Sequence, residues 1–320
     1  MTVRRHWPWV ALLLALLTCA LAWLALRTGL ADATNEVVWN IRAPRIVLAL
    51  IVGAGLAAAG VMLQGSLRNP LADPALIGVS AAAALGCVAG AALGVPFGTV
   101  GAAVAATIGA ALAMTLVVSV STRDGRPEVV SLLLAGVAVS AFAAALVAIL
   151  VATSPDAGVR SLVFWTTGSL SLATWPGVLT VSPFVLLGLA LAATTPRALD
   201  VLALGDRDAT AVGIDVRSVR IRAQAAVVLL IAAGVAVVGV IAFIGLVIPH
   251  AVRLLIGPRT APLLVMSTLF GAALLLLADT VARTVANPIE IPVGAVTALI
   301  GAPVFFLLLW RTRRQQGGWA

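Results

Sequence analysis

RAPRIVLALIVGAGLAAAGVMLQGSLRNPLADPALIGVS, residues 42–80, reads as one membrane crossing bounded by charge. Arg42 and Arg45 flank Pro44 at the mouth of an apolar run. No charge interrupts that run until Arg68, and Asn69, Pro70, Leu71, Ala72, Asp73 and Pro74 then break it. About 20 apolar residues carry a helix across a bilayer, so 46–67 predicts a span with polar punctuation at both ends. Two fixed cations at a membrane mouth point to a surface that docks something acidic.

Bulk composition extends this reading to the whole chain. It is 62% hydrophobic and 10% charged, with a mean hydropathy of +1.15, which places it among polytopic membrane proteins. The net charge of +8 does not indicate nucleic acid, because the arginines stand singly between apolar stretches and form no basic face. All 20 basic residues are arginine. Without a lysine the chain cannot carry the GK[ST] phosphate cradle, so any ATP that drives it binds to another subunit. Cys19 and Cys87 fall inside apolar runs and read as small buried hydrophobes. With only His6 and His250 beside them, they make no metal framework.

Crossings are expected near 7–27, 46–67, 75–94, 99–121, 128–152, 174–195, 219–241, 243–257, 262–283 and 292–311. Arg4 and Arg5 ahead of an apolar stretch also fit a cleaved signal peptide. The stretch is long for one, so a retained first span is the reading. Gly239, Gly245 and Pro249 interrupt 219–257, which reads as two crossings, one short, or as one span and a re-entrant piece. Broken helices at membrane depth persist where protein or a watery cavity surrounds them. That stretch and the Gly- and Ala-rich 78–94 are therefore candidate pathway elements. Residues 1–320 read as one transmembrane domain without a soluble domain.

The arginines orient this topology. With the N-terminus inside, Arg27, Arg42, Arg45, Arg160 and Arg283 fall outside and the other fifteen of the 20 fall inside. Such a bias fits an even number of spans with both termini cytoplasmic.

Three blocks resemble the FecCD-type permease family, which includes the BtuC permease: the RxPR start with its QxxxRNPLAxPxLIG break, IAFIGLVIPHAVRL at 241–254, and LADTVARTVANPIEIPVGAVTALIGAPVFFLLLWR at 277–311. LGDRDATAVGI at 204–214 is similar to the family's LGxxxAxxLG loop, and Trp165, Gly168, Ser169 and Leu170 to its WxxGSL segment. Two departures are visible. Gly257–Pro262 stands where the family has Asp-His-Arg, which puts the inner-face contacts around Arg259 in doubt. Ala82 and Ala83 replace a common Gly-Ala pair.

The resemblance implies an all-α BtuC-like fold of about ten spans, paired with a second permease subunit, identical or paralogous. It implies two ATP-binding subunits inside, which carry the ATP and Mg, and a substrate-binding protein outside the bacterial inner membrane. The family's docking arginines correspond to Arg42, Arg45 and Arg283, which would meet glutamates on the two lobes of the binding protein. Arginine suits that work because its planar fork grips a carboxylate bidentately. Snorkelling of Arg42 and Arg45 at a helix end is the alternative. The family's coupling loop maps to about 197–218. There Gly205 and Gly213 permit tight turns, Ala209 keeps a contact face small, and Asp206 contributes to a polar rim; an ordinary solvated loop is the alternative.

Asp279 and Arg283 are four residues apart and can pair on one helix face, with a proton relay as the sharper alternative. Glu290 is placed at the outer mouth, shaping a loop or contacting a partner. Gln64 either lines a path or bonds a neighbouring helix. Met62, Phe142 and Trp165, with Asn69, are the remaining pathway candidates, packing being equally open for the first three. No catalytic constellation appears, which leaves an integral-membrane enzyme without a site. The sequence thus predicts the permease subunit of an ABC importer for chelated iron, a ferric siderophore first. Haem or cobalamin cargo and an ion-coupled secondary transporter using Asp279 are the alternatives. Charge reversal of Arg42 with Arg45 is expected to abolish docking and leave the fold intact.

Overall fold

The small residues at 53–60 set where the helices meet. A helix without bulky side chains lets neighbouring backbones approach closely and belongs at the centre of a membrane bundle. The computed structural model describes residues 3–28, 34–123, 126–153, 167–285 and 289–315. Its helices are α1 (Val3–Arg27), α2 (Ala43–Ser66), α3 (Val79–Ala92), α4 (Val100–Ser121), α5 (Val129–Thr153) and α6 (Trp175–Ala193). There follow α7 (Pro196–Leu202), α8 (Asp206–Ala211), α9 (Val216–Val238), α10 (Ile244–Ile256), α11 (Thr260–Ala282) and α12 (Val293–Gln315). A helical turn, Asn35–Val37, and a π turn, Val38–Arg42, lead directly into α2. Two-residue strands, Thr122–Arg123 and Arg126–Pro127, pair antiparallel between α4 and α5.

α2 is the shaft: 83% of its apolar window is buried, against 6% for α1. α11 lies along it, and Gly53 and Gly271 face each other with no room for a Cβ on either. α10 meets α2 at Gly60, where an added Cβ would run into the Gly245 carbonyl. α9 packs on α2 and α6, α3 on α4 and α5, and α1 on α11. Cys87 is buried, as expected, whereas Cys19 is exposed on α1. Trp9, Leu13, Leu16 and Leu17 are exposed on the same helix. An outward apolar side chain there meets lipid, which is as apolar as a core.

Among the described residues ten apolar helices stand where ten crossings are expected, but they are unequal. Seven (α1, α2, α4, α5, α6, α9 and α11) are long and apolar enough to cross a membrane. α3, α10 and the apolar part of α12, Val293–Leu307, are shorter. The 14 residues of α3 and 13 of α10 rise about 21 and about 20 Å at 1.5 Å per residue, less than a ~30 Å hydrocarbon core. The late start of α3 has a local cause. Asn69 Oδ1 accepts the Leu71 N–H at 2.9 Å and Asp73 Oδ1 accepts the Ala75 N–H at 2.8 Å. The chain therefore turns until Gly78, whose φ of +82° opens α3.

The interrupted stretch forms two helices. Gly239, at φ +75°, ends α9, and Phe243, at φ +70°, precedes α10. A bulky residue is strained in that conformation. Gly301 of α12 lies against Phe243 Cβ, where a side chain of its own would collide. Backbone pairing flanks the break: the Ser169 N–H donates to the Val238 carbonyl at 2.8 Å and the Gly294 N–H to the Gly168 carbonyl at 3.1 Å. Residues 168–169 thus strap the end of α9 to the start of α12.

Candidate docking and coupling faces

At one end of the bundle four chain segments converge on arginines. Helix C-termini leave carbonyls without partners, and at α1 these are taken by arginine. Arg42 Nη1 donates to the Leu26 carbonyl at 2.8 Å. Arg283 donates through Nη2 to the Ala25 carbonyl at 2.6 Å and through Nη1 to the Thr28 carbonyl at 3.1 Å. Arg45 is held by acids instead. Its Nε lies 3.0 Å from both Asp279 oxygens and its Nη2 2.9 Å from Oδ1, while Nη1 lies 3.0 Å from both Glu290 oxygens.

This arrangement brings the three expected docking residues together at one end of the bundle, with Arg42 and Arg45 buried there, and corrects two expectations about them. Asp279 pairs with Arg45 across the bundle, not with Arg283 on its own helix, because Arg283 turns to α1. The pair is enclosed, with side-chain exposures of 9% for Arg45 and 1% for Asp279. Charge reversal at Arg45 would set a carboxylate against Asp279 and Glu290 in that enclosure, so it would not leave the fold intact. Glu290, with 43% of its side chain exposed, is the accessible member of the trio. An Asp279 carboxylate chelated by Arg45 is also poorly placed to carry protons, which removes the geometric case for the ion-coupled alternative.

At the other end, α8 projects between glycines. Gly205 (φ +139°) and Gly213 (φ +84°) adopt backbone conformations that a side chain disfavours, as turns at both ends of a short helix require. Ala209 is placed differently from expectation, whereas Asp206 is tied down among its arginines: Arg220 Nη2 lies 3.0 Å from both its oxygens and Arg68 Nη1 3.8 Å from Oδ1. Ala209 is wholly buried against the chain itself, so it presents no face to a partner. The projecting apolar residues are Leu204 and Val212, 71% and 67% exposed. Sequence reasoning missed both. The available signal was an apolar residue just before each glycine of the loop.

The neighbouring helices brace α8. Asp200 on α7 accepts both the Thr260 N–H, at 2.7 Å, and its hydroxyl, at 2.6 Å. It thereby caps α11 at the point where the chain departs from the family's Asp-His-Arg. Gln64, at the end of α2, donates to the Gly245 carbonyl at 3.2 Å and accepts from Arg253 Nη2 at 2.8 Å. Of its two expected roles, the structure displays the interhelical bond.

The remaining pathway candidates do not come together. Met62 is fully enclosed and accepts the Thr195 hydroxyl at 3.3 Å. It therefore has no surface to offer a path in this conformation. Asn69 is a buried turn former. Phe142 is 66% exposed on α5, and Trp165 lies outside the described residues.

Comparison with known proteins converges on one family. Residues 6–311 match the model of the FecCD transport family. The chain is 41% identical over 302 residues to the hemin transport system permease protein HmuU of Yersinia pestis, covering 92% of this chain and 90% of that one. It is 41% identical over 306 residues to the cobalamin import system permease protein BtuC of Halobacterium salinarum, covering 96% and 80% respectively. Among solved structures, a metal-chelate type ABC transporter in an inward-facing conformation superposes with a TM-score of 0.83 at 32% identity. That match covers 95% of this chain and 99% of the other. The multi-pass helical bundle and these relatives agree: the chain belongs to the FecCD transport family and is an ABC importer permease.

Proposed function

We propose that this permease works as one of a pair in a bacterial cytoplasmic membrane, crossing it ten times with both termini inside. Its cargo is a chelated-iron compound, a ferric siderophore first. A binding protein delivers the cargo to the end of the bundle where Arg45, held by Asp279 and Glu290, organises the docking surface together with Arg42 and Arg283. The cargo passes between two permeases by alternating access, without chemistry on it. ATPase subunits on the inner side hold the ATP and Mg and act through α8. The observation that carries this reading is the projection of Leu204 and Val212 on either side of a short helix braced by Asp206. Two apolar knobs on a rigid stalk fit a cleft in a soluble partner.

Hemin is the competing cargo, favoured by the 41% identity to a hemin permease, and cobalamin follows on the second relative. The decisive experiment is gentle extraction of the tagged chain from its native membrane, with every partner identified by mass. An ATPase at one copy per permease supports the importer, and the second permease reports whether the pair is identical. A clean dimer without ATPase, reproduced in nanodiscs after mild crosslinking, would overturn it.

A further inference from the structure

A cavity of about 1560 Å³ opens along the seam of α4 and α9 beneath α8, larger than the ~300–1,000 Å³ of most small-molecule sites. Its floor is apolar: Ala111, Met114 and Val118 of α4 face Ala225, Val228 and Leu229 of α9. The hydroxyls along it are turned back on their own helix. Thr107 donates to the Ala103 carbonyl, Thr115 to Ala111 and Ser119 to Leu116, at 2.7–2.8 Å. The groove therefore offers an apolar wall even where the sequence reads polar.

Charge is confined to one end. Arg207, Arg217 and Arg220 line the mouth, and Asp206 is the one acid lining it among the described residues. Asp206 is already answered by Arg220 and Arg68, and the exposed Arg207 and Arg217 add positive charge beyond it. Asp208 and Asp215 belong to the same stretch but do not line the groove, and Asp215 caps α9 through the Ser218 N–H at 3.2 Å.

From Arg217 to Leu229 the helix rises about 18 Å at 1.5 Å per residue, close to the ~15 Å half-thickness of a hydrocarbon core. Beside the groove α4 exposes Ile108, Leu112, Leu116 and Val120, so its open side faces acyl chains. A cationic mouth over one leaflet's depth of apolar wall has the polarity and length of a single phospholipid. Basic pockets between helices on the cytoplasmic side recruit anionic headgroups in this way. We propose that this groove binds an anionic phospholipid, its phosphate between Arg207 and Arg217 and one acyl chain along the floor.

The test needs no partner subunit. The purified chain in mild detergent is titrated with phosphatidylglycerol or phosphatidylcholine of identical chains, and bound lipid is counted by native mass spectrometry. At least tenfold preferential retention of phosphatidylglycerol is expected. It should fall to the phosphatidylcholine level in the Arg207→Gln/Arg217→Gln double variant. Ala225→Trp, which fills the floor and leaves the charges, should lose the bound lipid while remaining monodisperse. If that variant does not fold, the arginine pair decides alone. Equal retention of the two lipids by the unaltered chain would overturn the proposal and mark the groove as a seat for a protein partner. An undiminished preference in the arginine variant would also overturn it. Equal competition by glycerol phosphate would replace the lipid with a free-anion site.

Discussion

Removing the Arg45 side chain should destabilise the bundle more than any surface arginine does. The change leaves Asp279, 1% exposed, without the three short contacts from Nε and Nη2. Breaking a buried ion pair from one side costs about 3–5 kcal/mol, because the remaining charge is desolvated and uncompensated. The same principle makes an apolar replacement of both members close to neutral. Arg45→Met with Asp279→Leu should therefore recover most of what Arg45→Met alone loses. The double-mutant cycle should return a coupling of about 2 kcal/mol or more, in the upper part of the range for residues in one network. Unfolding in mixed mild-detergent and SDS micelles, followed by tryptophan fluorescence, reads all four corners of the cycle. Arg217→Met, on an exposed arginine, is the control and should move stability by less than about 0.5 kcal/mol. An Arg45→Met protein as stable as the control would refute the buried pair. It would return Arg45 to the free docking role that its sequence position suggests.

Three further outcomes follow from other contacts. Gly60→Val should cost about 1–3 kcal/mol or more, as overpacking against backbone does, since the added Cβ meets the Gly245 carbonyl; thermal unfolding of the purified chain checks it. Leu204→Asp with Val212→Asp should weaken co-purification of the ATPase about 30-fold or more, the loss expected from ~2 kcal/mol hot spots, while the permease itself stays folded. Burial pushes the Asp73 carboxyl up to about 6, against the opposing pull of the Ala75 N–H. A raised acid favours the folded state most at low pH, so its contribution is whole below about pH 4 and is lost as pH rises through 6. Asp73→Asn, which keeps an acceptor for Ala75, should flatten that slope and gain up to about 3 kcal/mol at pH 8. An unchanged pH profile of unfolding would contradict it.

The positions of the helices were legible because a bilayer imposes one rule on each of them: enough apolar residues, then charge or Pro and Gly. That rule is local, so it located the ten apolar helices and the break at Gly239 from neighbouring residues alone. It could not give α3 its length, which depends on the Asn69 and Asp73 side chains turning the chain back on itself. Nor could it choose partners. Asp279 has an arginine four residues away and another 234 positions away, and it takes the distant one, because Arg283 is drawn to the open carbonyls of α1. Ala209 shows the same limit at the inner end. A small residue in a glycine-flanked loop reads as a contact face, yet it serves to seat α8 on its own chain, and the larger residues just before each glycine project.

The two faces meet on one element. Arg45 stands at the first turn of α2 and Gln64 at its last, about 29 Å apart by helix rise. Both side chains bind other helices, Arg45 to α11 and Gln64 to α10. Between them α2 touches those same helices at Gly53 and Gly60, where the backbones approach too closely for a Cβ. A helix held by polar contacts at its ends and by close backbone approach at Gly53 and Gly60 is suited to slide or tilt as a body. A shift at the Arg45 end would then arrive at Gln64, and through Arg253 at α10, without any chain of repacked side chains between. Restraining that sliding tests the idea. A cysteine pair joining α2 to α11 near Gly53 and Gly271 should block transport while leaving binding-protein docking and basal ATP hydrolysis in place. Transport that continues with the crosslink closed would show that α2 is a static post.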